Sequence, residues 1–244
     1  MIDIKYLLLG IMLLAAVSGC SKSSSRSDGD TDTDTDTGPV ECDLGEYSGH
    51  FEILEQSDVA TLAGYTSISG NLDIRCTSCT DLSELLCLTS VGEYMEIDDN
   101  AVLTNVDGLS ALTSVGGDIA ITDNEALTNL DGLGALTSVD GSLYVDSNPY
   151  LMNLDGLSGV TSIGGGLLIE GNAALKNLDG LSALTSIFIY MGDEPWDFFV
   201  IHDNDILPDC EACELLDQLV SEPTVIDVHD NLDDSCTPVP GNCP

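Results

Sequence analysis

Part of this chain copies itself every 24 residues, and that repetition restricts the fold more than any other feature. Val91, Val115, Val139, Ile163 and Ile187 recur at this spacing, as do Asn100, Asn124, Asn148 and Asn172, and Leu103, Leu127, Leu151 and Leu175. One unit runs Val-Gly-Gly-Asp-Ile-Ala-Ile-Thr-Asp-Asn-Glu-Ala-Leu-Thr-Asn-Leu-Asp-Gly-Leu-Gly-Ala-Leu-Thr-Ser from Val115 to Ser138. A segment this short cannot bury its own apolar face, so the copies must lie against one another. The expectation is a mainly β solenoid.

Two different periods share each unit. Ile119 and Ile121 alternate with outward neighbours, the pattern of a short half-buried strand. After Asn124 the apolar residues come at every third position, Leu127, Leu130, Leu133, Leu136 and Val139. That spacing suits a tightly turning segment with one inward side chain per turn, and Leu-Asp-Gly-Leu at 130–133, 154–157 and 178–181 marks the turn. Each unit is then one coil, and the strands are expected to stack as one parallel sheet about 4.8 Å apart.

The strand pair and the Asn position serve as a ruler for the rest of the chain. Forward, Phe199, Ile201 and Asn204 match after an insertion over 188–198, and Ile226, Val228 and Asn231 match once more. Backward, Leu72 and Ile74 match with Thr77 at the Asn position, and Phe51 and Ile53 match with Gln56. The reading gives about eight coils of roughly 24 residues between 51 and 231. The Asn column reads as structural, because Asn side chains bond to backbone at recurrent turns and tolerate the left-handed conformation. Calcium held between coils by the neighbouring Asp98, Asp99, Asp123 and Asp203 is the weaker reading, since Ser147 and Gly171 interrupt that column.

The N-terminal region follows other rules. Lys5 precedes an apolar run from Tyr6 to Val17, followed by Ser18, Gly19 and Cys20. The run is short for a membrane span and suits a signal peptide over 1–19. It resembles the bacterial lipoprotein lipobox, in which the cysteine carries lipid, so Cys20 is the expected lipidation site. Ser21 in place of Asp implies, by that resemblance, delivery to an outer membrane rather than retention in an inner one. Residues 20–41 then form a Ser-, Asp- and Thr-rich tether that has nothing to bury and extends by self-repulsion. Its alternating Asp residues do not fit a calcium loop: with Asp32 first, Thr37 and Asp43 fall where Gly and Glu are required.

Residues 42–244 remain for the solenoid: 42–90 as N-terminal cap and first coils, 91–187 as regular repeats, 188–198 as insertion and 199–244 as C-terminal coils and cap. Acidic residues number 43 against 5 basic ones, a net charge of −38. Such a surface repels phosphate, which excludes nucleic acid as a partner and leaves the lipid on Cys20 as the only expected membrane contact. The acidity fits either a saline habitat or a basic partner. Beyond Cys20, eight cysteines form two groups, Cys42, Cys76, Cys79 and Cys87 at one end, and Cys210, Cys213, Cys236 and Cys243 at the other. In an exported chain these read as disulfides sealing end coils that lack a neighbour. A zinc site within one group is the alternative, and pairing within each group stays open.

The repeat resembles the receptor L-domain, a leucine-rich-repeat relative found in insulin-receptor-type ectodomains and in bacterial surface proteins. The likeness covers about residues 50–231 and rests on the Gly-Gly-x-Ile-x-Ile-x-x-Asn-x-x-Leu-x-x-Leu-x-Gly-Leu pattern from Gly116 to Leu133, and on Leu-Pro-x-Cys from Leu207 to Cys210. The resemblance implies a right-handed solenoid and no catalytic residues. It departs from ordinary leucine-rich repeats in placing the leucine three residues after Asn.

If Ile119 and Ile121 point inward, one outward column reads Glu52, Asp73, Glu96, Ala120, Tyr144, Leu168, Val200 and Asp227. The next reads Leu54, Arg75, Asp98, Thr122, Asp146, Glu170, His202 and His229. Ala120, Tyr144, Leu168 and Val200 form an apolar stretch, a candidate binding face or a seat for the insertion with its Trp196. Glu170, His202 and His229 are candidate ligands for a divalent metal, and no other cofactor is implied. Polysaccharide lyase chemistry needs a base beside calcium-binding carboxylates, and the solenoid offers only Arg75 and Lys176, four coils apart. The expected role is therefore a non-enzymatic, envelope-anchored module that binds an unidentified extracellular or envelope protein or a glycan. A purely structural envelope protein is the alternative, and a calcium-dependent polysaccharide-degrading enzyme a remoter one.

Overall fold

The computed structural model describes residues 41–187, 198–220, 223 and 225–232. Residues 1–40, on which the expected leader, the Cys20 lipidation site and most of the expected tether fall, and Trp196, Cys236 and Cys243 lie outside the described residues. The protein is mainly β, and its strands belong to two parallel sheets. The larger holds eight strands: Phe51–Ile53, Leu72–Ile74, Met95–Asp98, Ile119–Thr122, Leu143–Asp146, Leu167–Glu170, Phe198–His202 and Val225–His229, lying side by side in chain order. These are the strands that the repeat ruler places. The arrangement is consistent with a solenoid.

The second sheet corrects the expectation of a single one. Its seven strands are Gly45–Tyr47, Tyr65–Ile68, Ser90–Val91, Ser114–Val115, Ser138–Val139, Ser162–Ile163 and Ser186–Ile187, again in chain order. Two-residue strands have no alternation to read, so Val91 and its equivalents pass in the sequence for the last step of the three-residue period. Each of these apolar residues points inward and is 0–1% exposed. The flanking threonines extend the ladder, with the Thr113 amide bonding to the Thr89 carbonyl at 2.9 Å and the Thr185 amide to Thr161 at 3.0 Å.

Between strands the Asp-Gly-Leu segments form single 3-10 turns at Asp107–Leu109, Asp131–Leu133, Asp155–Leu157 and Asp179–Leu181. An Asn two residues ahead fixes each one: the Asn129 Oδ1 accepts the Asp131 amide at 3.1 Å, and Asn105, Asn153 and Asn177 repeat the bond. The glycine is required by the neighbour. A side chain on Gly132 would run into the backbone of Val106 and Asp107 on the preceding coil, and Gly108, Gly156 and Gly180 meet the same obstacle. Close stacking and a missing Cβ are thus one fact.

Inside, Leu127, Leu130, Leu133 and Leu136 are fully buried, as are their equivalents in the other regular coils. Burying a leucine contributes about 1.5–3 kcal/mol. The Asn column lies buried beside them and is hydrogen-bonded from end to end. Asn148 Oδ1 accepts the Asn124 amide at 3.2 Å, while its Nδ2 donates to the Ile121 carbonyl at 2.9 Å, and Asn124, Asn172 and Asn204 do the same. With both ends of each amide used this way, the column is structural. The preceding residue carries the positive φ: Asp99, Asp123, Ser147, Gly171, Asp203 and Asp230 lie between 52° and 67°. Asp, Ser and Gly tolerate that conformation, which explains why the column mixes them and weakens the calcium reading.

One position departs from the ruler. The amide that bonds to Asn100 Oδ1 belongs to Cys76, at 2.8 Å, so Cys76 rather than Thr77 takes the Asn place. Cys76 is disulfide-bonded to Cys79, and Cys42 to Cys87 across 45 residues of chain, which removes a zinc role for these four. Cys210 and Cys213 are also disulfide-bonded. They are half-buried on a helix, Asp209–Asp217, because the three-residue turn gives way there to α-helix, which buries Ala212, Leu215 and Leu216 instead. That helix closes the last regular coil, its Glu211 accepting the Leu178 amide at 3.2 Å and its Gln218 donating to the Leu181 carbonyl at 2.9 Å. Among the described residues no helix is long and apolar enough to cross a membrane.

Candidate functional site

Every second residue of a strand points away from the core, and parallel pairing in register aligns these residues into columns. The pairing puts Glu52 beside Asp73, then Glu96, Ala120, Tyr144, Leu168, Val200 and Asp227, the column read from the sequence. The adjacent column runs from Asp98 through Thr122, Asp146, Glu170 and His202 to His229. The eight-residue lengthening of the coil before Phe199 does not disturb the register, so the strand pair proves a sound ruler across it.

The apolar middle is less open than the sequence implies. Ala120 and Leu168 are 6% and 2% exposed, while Tyr144 and Val200 are half-buried. The Tyr144 and Phe198 rings meet with centroids 5.7 Å apart, reaching across the strand Leu167–Glu170 that separates them. Gly166 makes room, since any side chain there would collide with the Phe198 ring. The stretch is therefore a partly covered apolar seam, not an exposed patch. Burial holds the Tyr144 hydroxyl above its ordinary pKa, against a hydrogen bond with Ser142.

At one end the two histidines come together. The His202 and His229 rings are stacked with centroids 4.7 Å apart and planes 8° apart. Each turns Nδ1 to the aspartate that follows it, His202 to Asp203 at 3.0 Å and His229 to Asp230 at 3.1 Å. The Nε2 atoms face Glu170 at 3.8 Å and Asp227 at 3.2 Å respectively. This alters the expected metal triad. Glu170, His202 and Asp203 can bring ligand atoms within 4.8 Å of one another, but His229 is not in that group. Stacked parallel rings aim their nitrogens along parallel lines instead of converging on one ion.

At the other end lies a charged cluster that the strand columns reveal only in part. Arg75 pairs with Glu96 and lies 3.6 Å from Asp98, and His50 lies 3.6 Å from the buried Asp73. Burial raises the pKa of Asp73 and of Glu96, opposed by His50 and Arg75 for the first and by Arg75 for the second. His50 lies just before a strand, outside the alternating positions, so the columns alone give no sign of it.

No protein-family model matches the chain, and no curated protein sequence does.

Proposed function

We propose that this chain is an envelope lipoprotein, anchored through lipid on Cys20, that displays a right-handed receptor L-domain-like solenoid of about eight coils and binds a protein or glycan through the outward face of its eight-stranded sheet. The observation that supports it is where the repeat stops repeating. Between coils the inward residues, the Asn and the turn glycines are near copies. The outward positions are not: Glu96, Ala120, Tyr144, Leu168 and Val200 stand in one column, and Asp98, Thr122, Asp146, Glu170 and His202 in the next. A scaffold serving only its own stability has no need of a different side chain at every outward step. A surface that recognises one partner does.

Electrostatics narrows the partner. With a net charge of −38, a basic protein surface or a neutral glycan is favoured over an acidic polymer, and the Tyr144–Phe198 seam offers rings on which a sugar or an apolar side chain can pack. The experiment compares the protein with a Tyr144→Glu, Asp146→Lys variant in pull-downs on intact cells and on glycan arrays. Loss of a bound partner in the variant, with an outward variant of the seven-stranded sheet such as Ser138→Glu unaffected, supports the reading. Identical capture by all three overturns the sheet-face reading, and capture by none favours the purely structural alternative. The anchor is tested separately by incorporation of labelled fatty acid, which Cys20→Ser must abolish.

A further inference from the structure

From the geometry at the start of the eight-stranded sheet we infer a binding site for a divalent transition-metal ion of the zinc class, made by His50, Glu52 and Asp73. Glu52 lies on the edge strand, Asp73 is its in-register partner on the next strand, and His50 immediately precedes the edge strand. Each of the three offers a ligand atom, and all lie within 4.8 Å of one another. His50 Nε2 is 3.3 Å from Glu52 Oε1 and 3.6 Å from Asp73 Oδ2. Two atoms each about 2.1 Å from a tetrahedral zinc ion stand about 3.4 Å apart, so the spacing needs little adjustment.

The second observation is Asp73 itself. Its side chain is only 5% exposed, and its Oδ1 is buried with no hydrogen-bond partner. Removing a carboxylate from water is unfavourable unless each oxygen is satisfied. The Asn amides are satisfied throughout, whereas Asp73, Glu84 and Asp209 each keep a buried carboxylate oxygen without a partner; of these three only Asp73 stands in a group with His and Glu, where a cation would satisfy it. Arg75 offsets part of that charge from a distance, but its ion pairs are with Glu96 and Asp98, and the Asp73 Oδ1 accepts no hydrogen bond. Imidazole with two carboxylates selects zinc, cobalt or nickel over calcium, which takes more ligands and all of them oxygen. The ion would clamp the edge strand Phe51–Ile53 to its neighbour at the sheet margin where pairing ends.

The site is distinct from the histidine pair at the far end and does not depend on the binding reading above. It is tested by equilibrium dialysis of the full chain against zinc chloride, in a His202→Gln background that removes the other cluster. One ion bound per chain, weakened at least about tenfold by Asp73→Asn and by His50→Gln, is the expected result. Calcium chloride at the same concentration leaves the zinc in place. Unchanged zinc affinity in both variants, an absence of zinc binding, or displacement by equimolar calcium overturns the proposal. Asp73→Asn keeps the shape of the side chain, and His50 is exposed, so a folding failure in the first leaves the second decisive.

Discussion

Alanine at Gly132 tests the coil stacking at its tightest point. A Cβ added there would lie 2.7 Å from the Asp107 nitrogen and closer still to the Val106 carbonyl, all of it backbone of the preceding coil. Real Cβ atoms do not come so near, so the two coils must separate. Overpacking of a core costs about 1–3 kcal/mol, and an obstacle that is backbone on a neighbouring coil puts this case at the top of that range, about 3 kcal/mol. Gly134, two residues along the same turn, is the internal control. Its φ is −62°, and an added Cβ meets only the Asp131 carbonyl at 3.3 Å. Alanine there restricts the unfolded chain and stabilises by about 0.4–1 kcal/mol. For a domain of this size each kcal/mol moves the melting temperature by about 2–4 °C, so Gly132→Ala melts roughly 6–12 °C lower and Gly134→Ala slightly higher. Thermal unfolding followed by circular dichroism measures both. Equal melting temperatures for the two variants would mean that the coils are not in contact at this glycine.

Other expectations concern separate parts of the fold. Asn148→Ala strands the Asn124 amide and the Ile121 carbonyl inside the protein, at about 1–3 kcal/mol for each group, and hydrogen exchange at Asn124 speeds up accordingly. Reducing Cys42–Cys87 by Cys87→Ser opens a link spanning 45 residues and lowers stability by about 4 kcal/mol in denaturant titration. Asp73 and Glu96 have folded-state pKa values above their unfolded ones, so the native state binds protons more tightly. Their burial penalty is present above the folded values and relieved as pH falls through them. In metal-free buffer stability therefore rises on mild acidification just above the ordinary carboxylate range, and Asp73→Asn flattens the rise in melting curves against pH.

The sequence discloses what repeats and hides what happens once. Register is legible because Ile119, Leu143 and Leu167 recur at a fixed spacing, and a strand paired in parallel must then align its outward residues too. The second sheet is illegible because Ser138–Val139 is too short to carry a period. Thr77 is mistaken for Cys76 because a residue is lost between strand and turn, which no spacing rule detects. The apolar stretch looks exposed from its alternation alone, whereas Leu168 is 2% exposed and lies on a strand that the Tyr144 and Phe198 rings reach across. The His50–Glu52–Asp73 cluster combines one residue outside the repeat with two inside it, and only the folded coil brings them within reach.

Stacking in register fixes one distance that nothing else in the sequence does. Glu52 and Asp227 stand at the two ends of one outward column, seven strand spacings apart. At about 4.8 Å for each step they are about 34 Å apart. Spin labels placed at these two exposed positions by non-cysteine chemistry, and read by pulsed electron resonance, should give a single narrow distribution near that value, shortening to about 24 Å when Glu96 replaces Glu52 as the first label site. A broad distribution, or no shortening on that move, would show that the coils do not lie one upon the next.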